Sequence, residues 1–253
     1  MIRRGLCSVT LRHLAAEEVV AVAAAAGLGV IEWGADVHVP PGDEAAVDAA
    51  RSACERAGVA VASYGSYYRA GHDAADDFGA VLATAGRLGA GRIRFWAGAT
   101  PSREAGPRQR AAVADAARRA TEAAGEAGIE IALEYHGGTL ADEPGSTLAL
   151  LEAVDGLRTY WQPPEGVPED AALAGLRELL PRVAALHVFS WWPRDERRPL
   201  DARAGLWRRV FALAGSRGAD LDALLEFVPD DDAGMVAGEA WTMDDLLTAA
   251  AHA

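Results

Sequence analysis

Glu134, His187 and Glu226 lie in three short apolar runs, IALEYH, AALHVF and ALLEFV. Two carboxylates and an imidazole brought to one place supply oxygen and nitrogen ligands for a divalent ion such as Mn, Mg, Co or Zn. Any one of them alone is ordinarily a paired or hydrogen-bonded core group; three at equivalent ends of separate strands reverse that preference. Gln162, in RTYWQPPEG, is the fourth candidate ligand. Its carbonyl oxygen either binds the metal as a neutral donor or orients another ligand or the substrate, and the two prolines after it fix the exit of the chain.

Further residues suit substrate contacts. His136 follows Glu134 by two positions, on the same face of an extended strand; it meets a substrate hydroxyl, supports a ligand, or simply begins the Gly137-Gly138 turn. Glu32, in EWGADVHVPPGD, is a candidate for substrate, while Asp36 and His38 shape the loop that follows. Arg94 pairs with a carboxylate or holds an anionic substrate group. Tyr64, Tyr67, Tyr68, Trp96, Trp191 and Trp192 are flat side chains suited to the apolar face of a sugar or a planar ligand, with loop packing as the alternative. Arg194, in SWWPRDERRPLDA, receives a phosphate or carboxylate or belongs to a solvated charged loop.

The elements that must position these residues alternate along the whole chain. Short β-rich runs, each followed by a longer alanine-rich segment of helical period, occur eight times. The strand candidates are LCSVTL near position 8 and runs ending near Trp33, Tyr64, Ala97, His136, Gln162, Phe189 and Val228. The intervening helices mostly close on glycine, as helix C-caps do. Eight strand-helix pairs in about 250 residues predict an α/β fold, a single (β/α)8 barrel over 1–253. A doubly wound open sheet would carry a glycine-rich phosphate turn after the first strand, which SVTLRHL lacks.

Alternate residues of a barrel strand face inward. The apolar sets Ile31/Trp33, Val59/Val61, Ile93/Phe95, Ile131/Leu133/Tyr135, Trp161, Leu186/Val188 and Leu225/Phe227 are assigned to the outside. That turns Glu32, Tyr64, Arg94, Trp96, Glu134, His136, Gln162, His187 and Glu226 inward, at the end of the barrel where active sites are built.

The bulk properties narrow the function classes. A net charge of −13 opposes nucleic acid, whose affinity rests on lysine and arginine releasing counterions. Cys7 and Cys54 form neither a disulfide framework nor a ligand cluster, as expected in a reducing compartment. No apolar run suits a signal peptide or a membrane span. The expectation is a cytoplasmic protein with a small-molecule partner, no nucleic acid and no membrane, and compatible with a homo-oligomer.

GVIEWGADVHVPPGD, VASYGSYYRAG, ALEYHGGT, ALHVFSW and LLEFV together resemble the sugar phosphate isomerase/epimerase group of the xylose-isomerase-like TIM-barrel superfamily, over essentially the whole chain. The resemblance implies a divalent metal held by a glutamate ending strand five, an aspartate ending strand six, a histidine on strand seven and a glutamate ending strand eight. Glu134, His187 and Glu226 match, and Gln162 stands at the aspartate position; a histidine often found shortly after it is absent from PPEG. It further implies aldose-ketose isomerisation or epimerisation in carbohydrate metabolism through an enediolate, with Glu134 and Glu226 as acid/base groups as well as ligands. A metal-poor binding or accessory protein and a metal-dependent lyase or hydrolase are the rival readings.

Overall fold

The strand periodicity of the sequence is realised as a closed barrel of eight parallel strands, described by a computed structural model over residues 1–252. Residue 253, the last of the expected domain, lies outside the described residues. The barrel strands are β1 (Ile2–Cys7), β2 (Val30–Gly34), β3 (Ala60–Arg69), β4 (Arg92–Trp96), β5 (Glu130–Glu134), β6 (Arg158–Trp161), β7 (Val183–Val188) and β10 (Leu221–Leu225). Between β7 and β10 a small antiparallel hairpin, β8 (Ser190–Trp191) and β9 (Arg197–Arg198), stands over the carboxyl end of the barrel. The helices are α1 (Ala16–Ala25), α2 (Glu44–Ala57), α3 (Ala75–Leu88), α4 (Pro107–Glu126), α5 (Pro144–Ala153), α6 (Glu169–Leu179), α7 (Ala204–Ser216) and α8 (Val236–Ala251). No helix among the described residues is long and apolar enough to cross a membrane.

Local chemistry sets the helix ends. Asp43 caps α2 by accepting from the Ala46 amide at 3.0 Å. Gly58 and Gly89 close α2 and α3 in the left-handed region, at φ 67° and 77°. Each closure turns the chain directly into the next strand.

Two apolar layers follow from strand parity. Ile31, Trp33, Phe95, Leu133, Trp161 and Leu186 pack outward against the helices in the larger core. Val30, Ala62, Ala132, Tyr160, Ala185 and Leu224 fill the barrel interior below its mouth. The eightfold alternation and most of the parity are thus as the sequence implies. Three local departures matter for the site. The first strand ends at Cys7, and Ser8–Leu11, read from sequence as strand, winds into a buried 3-10 turn. An extra residue in β3 makes Ile31 face Val61 but Glu32 face Ser63. Finally, Phe227 adopts φ 50° just beyond β10.

Candidate active site

At the carboxyl end of the barrel the strands deliver a tight cluster of ionisable side chains. His187, on β7, is wholly buried, and its Nδ1 lies 3.1 Å from Gln162 Oε1, 3.6 Å from Glu134 Oε1 and 3.5 Å from Glu226 Oε2. The four residues singled out as a ligand set are therefore brought together by β5, β6, β7 and β10. On the other side of the ring, His187 Nε2 meets Glu32 Oε1 at 3.2 Å. An acceptor-only carboxylate there places the ring proton on Nε2, leaving the Nδ1 lone pair toward the three oxygens. Facing lone pairs at such distances require positive charge, either a proton on His187 or a cation.

Arg94 stands beneath this cluster, 3% exposed, with Nε 3.0 Å from Glu32 Oε1 and Nη1 donating to Glu134 Oε2. Trp96 Nε1 donates to the same Glu134 oxygen at 2.6 Å. Glu134 Oε2 is thus occupied and Oε1 faces His187. Ser63 donates to Glu32 Oε2 at 2.7 Å. Burial favours neutral carboxyls, yet Arg94 and His187 outweigh it: Glu32 is held down at about 2 and Glu134 well below the usual carboxylate range. Glu226 differs. Its carboxylate lines the cavity and accepts no hydrogen bond among the described residues, and burial, reinforced by nearby Glu134, raises its pKa despite the His187 ring.

Above the cluster opens a cavity of about 660 Å³, within the usual range of small-molecule sites, ~300–1,000 Å³. Arg94, Trp96, Glu134, His136, Gln162, Trp191, Arg194 and Glu226, all named as candidates from the sequence, line it. His136 stacks on Trp96 with ring centroids 4.9 Å apart.

Two substrate candidates fall elsewhere. Tyr64 does not reach the cavity: the extra residue in β3 reverses parity, so Tyr64 is buried in the outer core and donates to the Val39 carbonyl at 2.7 Å. Ser63 takes the inward place. Glu32 faces inward as expected but lies below the cavity, engaged by Arg94, Ser63 and His187, where it supports the ligand set and does not line the pocket.

Other participants were not legible beforehand. Phe227, assigned outward, is turned into the cavity wall by its left-handed backbone. Cys7, given no role from sequence, ends β1 opposite Glu32, and its buried thiol lies near the His187 ring. Cys7, Glu32 and His187 bring ligand-type atoms within 4.8 Å of one another. Cys7 and Glu32 lie behind the imidazole, away from the cavity lining, and Arg94 already binds Glu32, so the two buttress His187 from below; burial pushes the Cys7 thiol up to about 12, which keeps it protonated. The signal that could have found Cys7 is its place at the end of a strand whose next residues pack as a turn.

The cluster offers the oxygen and nitrogen donors that a divalent ion takes, but among the described residues the group whose ligand-type atoms all lie within 4.8 Å of one another is Cys7, Glu32 and His187, without Glu134 or Glu226. Ligand atoms about 2.1 Å from a metal at right angles are roughly 3 Å apart, close to the 3.1–3.6 Å separations around His187 Nδ1. A ligating histidine usually donates its other ring N–H to a carboxylate, and Glu32 Oε1 is such a partner for His187 Nε2.

The family model for xylose isomerase-like TIM barrels matches residues 20–252. No curated protein matches the chain by sequence. Among solved structures, the probable 3-DHS dehydratase AsbF of Bacillus anthracis superposes with a TM-score of 0.78 at 16% identity, covering 96% of this chain and 99% of that one. An L-ribulose 3-epimerase gives 0.76 at 15% identity, covering 100% and 96%. A xylose isomerase-like TIM-barrel protein from Mycobacterium smegmatis, in complex with magnesium, gives 0.71 at 16% identity, covering 94% and 91%. At these identities the likeness speaks for the fold.

Proposed function

Because the chain belongs to the xylose isomerase-like TIM-barrel family, we propose that it is a divalent-metal-dependent isomerase or epimerase of a small sugar or related hydroxy-carbonyl compound. The observation that carries this reading is the convergence of oxygens from Glu134, Gln162 and Glu226 on His187 Nδ1 at the floor of a deep cavity. Those four residues would hold the ion, which when bound polarises a carbonyl and offsets the negative charge that grows on it.

The remaining chemistry belongs to side chains. Glu226 faces the cavity with no hydrogen bond to its carboxylate among the described residues, as suits a group that takes a proton from the carbon beside the carbonyl. The C–H electron pair moves into the carbon skeleton and onto the carbonyl oxygen, giving an enediolate. Returning the proton to the neighbouring carbon, while the hydroxyl proton passes to the former carbonyl oxygen, completes an isomerisation; delivering a proton to the opposite face of the same carbon completes an epimerisation. Glu134, three strands away around the ring and with Oε1 left uncommitted by Arg94 and Trp96, would make that second delivery with a proton taken up from solvent, Glu226 releasing its own to solvent so that the pair returns to its starting state. His136 and Trp96 border the cavity and orient the substrate.

The likeness to a probable dehydratase favours a second reading. The same proton removal, followed by loss of a β-hydroxyl as water, is a dehydration, so the lyase alternative shares its first step and its floor residues. Proton NMR in deuterated water, on a panel of sugars and keto acids with Mn, Mg, Co and Zn, separates them. Deuterium beside the carbonyl with an isomeric product supports isomerase or epimerase; an unsaturated product supports lyase. Full turnover in a strictly metal-free preparation sinks both, and ligand binding without metal uptake favours a binding protein.

A further inference from the structure

The cavity floor accounts for the reacting end of a substrate, while its walls and rim constrain the rest. On one side Phe189, Trp191 and Phe227 pack ring to ring at 4.9, 5.1 and 6.3 Å. On the other, Trp96 packs against Tyr67 at 5.4 Å and against His136 at 4.9 Å. These walls come from opposite arcs of the barrel, β7 and β10 against β3, β4 and the loop after β5.

Two guanidinium groups, Arg194 and Arg103, complete the lining. The other cations near this mouth are matched: Arg12 with Asp36, Arg94 with Glu32 and Glu134, Arg197 with Asp231, Arg198 with Glu196. Arg194 has neither an ion pair nor a hydrogen bond among the described residues, although the chain carries a net charge of −13. Among the described residues Arg103 pairs with its exposed neighbour Glu104 alone, through Nη2 at 2.7 Å. The acids of the same lining do not neutralise them. Glu134 belongs to Arg94, Glu226 to the floor, and Asp142 accepts from the Ser102 amide at 3.1 Å. Glu165 also lines the cavity, in the loop against which Arg194 rests, yet forms no ion pair among the described residues.

We propose that the substrate carries an anionic group, a carboxylate or a phosphate, remote from its reacting carbonyl and received by Arg194 with help from Arg103. This rests on the floor being the reacting end, as proposed above. The carbon skeleton then lies between the two aromatic walls. A planar guanidinium binds either oxyanion through paired N–H donors, which a neutral polyol cannot exploit to the same degree.

Tryptophan fluorescence tests this directly, because Trp96 and Trp191 line the cavity. The protein is titrated, with Mn present, by two matched pairs: D-ribulose 5-phosphate against D-ribulose, and 2-keto-D-gluconate against D-fructose. At least one anionic member should bind about tenfold or more tightly than its neutral counterpart, the better pair distinguishing phosphate from carboxylate. Arg194→Gln should collapse that difference with no change in Tm, and added salt should erode it in the wild type. Equal affinities within both pairs, no measurable binding of either anion, or a preference that survives Arg194→Gln overturns the subsite. Metal uptake by elemental analysis on the same preparation reports on the floor separately: normal uptake without an anion preference removes the subsite alone.

Discussion

Gln162 is the residue at which the charge of the site is decided. Around His187, the carboxylates of Glu32, Glu134 and Glu226 face one permanent cation, Arg94. With His187 neutral, that group carries two negative charges, which a divalent ion offsets in full; an aspartate at 162 would leave one over. Gln162→Asp should therefore tighten divalent binding by about tenfold or more, since ligand charge tunes affinity, while making the bound ion less electrophilic and lowering kcat. Competition against a chelator measures the first effect; affinity no tighter than wild type would remove Gln162 from the ligand shell. The two glutamates should part company in the same way. Glu226→Gln is expected to cut turnover about 10²–10⁴-fold, the usual worth of a positioned acid/base group, with little change in Tm. Glu134→Gln should cost turnover and also stability, about 3 kcal/mol, because it strips a buried guanidinium of a charged partner. Equal Tm values for the two variants in thermal melts would contradict this asymmetry.

Strands explain what could and could not be read in advance. The positions of Glu134, Gln162, His187 and Glu226 were legible because each ends a short, mostly apolar strand, where place in the barrel and side-chain direction are both set by the period of two. Tyr64 was misplaced for a local reason: one additional residue in β3 moves the register, and a bulge leaves no signature in hydrophobicity. Phe227 was misplaced because a positive φ on an aromatic is not a sequence signal. Cys7 was missed because SVTL, β-rich in composition, winds into a turn and shortens β1. The displaced register of β3 also explains Gly65, beside Arg94. A Cβ there would come within 2.6 Å of Arg94 Nη2 and 2.9 Å of Glu32 Oε1. Gly65→Ala should thus push Arg94 off Glu32, weakening metal binding several-fold while the strand, whose Gly65 φ is not left-handed, still forms. Unchanged metal affinity in a correctly folded Gly65→Ala protein would show that the Arg94–Glu32 pair does not position the imidazole.

At the scale of the molecule, the barrel keeps two charged clusters at opposite ends and separates them with apolar side chains. At the amino end, Asp222 is 1% exposed and accepts from Arg3 Nε at 2.7 Å and Arg92 Nη1 at 3.0 Å. Arg92 Nε also reaches Glu130 at 2.5 Å, tying β4, β5, β10 and β1 together below the core. In barrels of this kind the carboxyl face carries chemistry and the amino face stability, so damage at the two ends should be distinguishable. Asp222→Ala leaves Arg92 with one of its two carboxylate partners and should lower unfolding free energy by about 3 kcal/mol. Metal uptake and turnover per folded molecule should not change, because Asp222 and Glu226 are four positions apart along one extended path, about 13 Å. At that separation, free-energy effects add to within about 0.5 kcal/mol. The double variant Asp222→Ala/Glu226→Gln should accordingly show the denaturant midpoint of the first and the turnover of the second; a midpoint well above or below that of Asp222→Ala would mean that the ends communicate through β10.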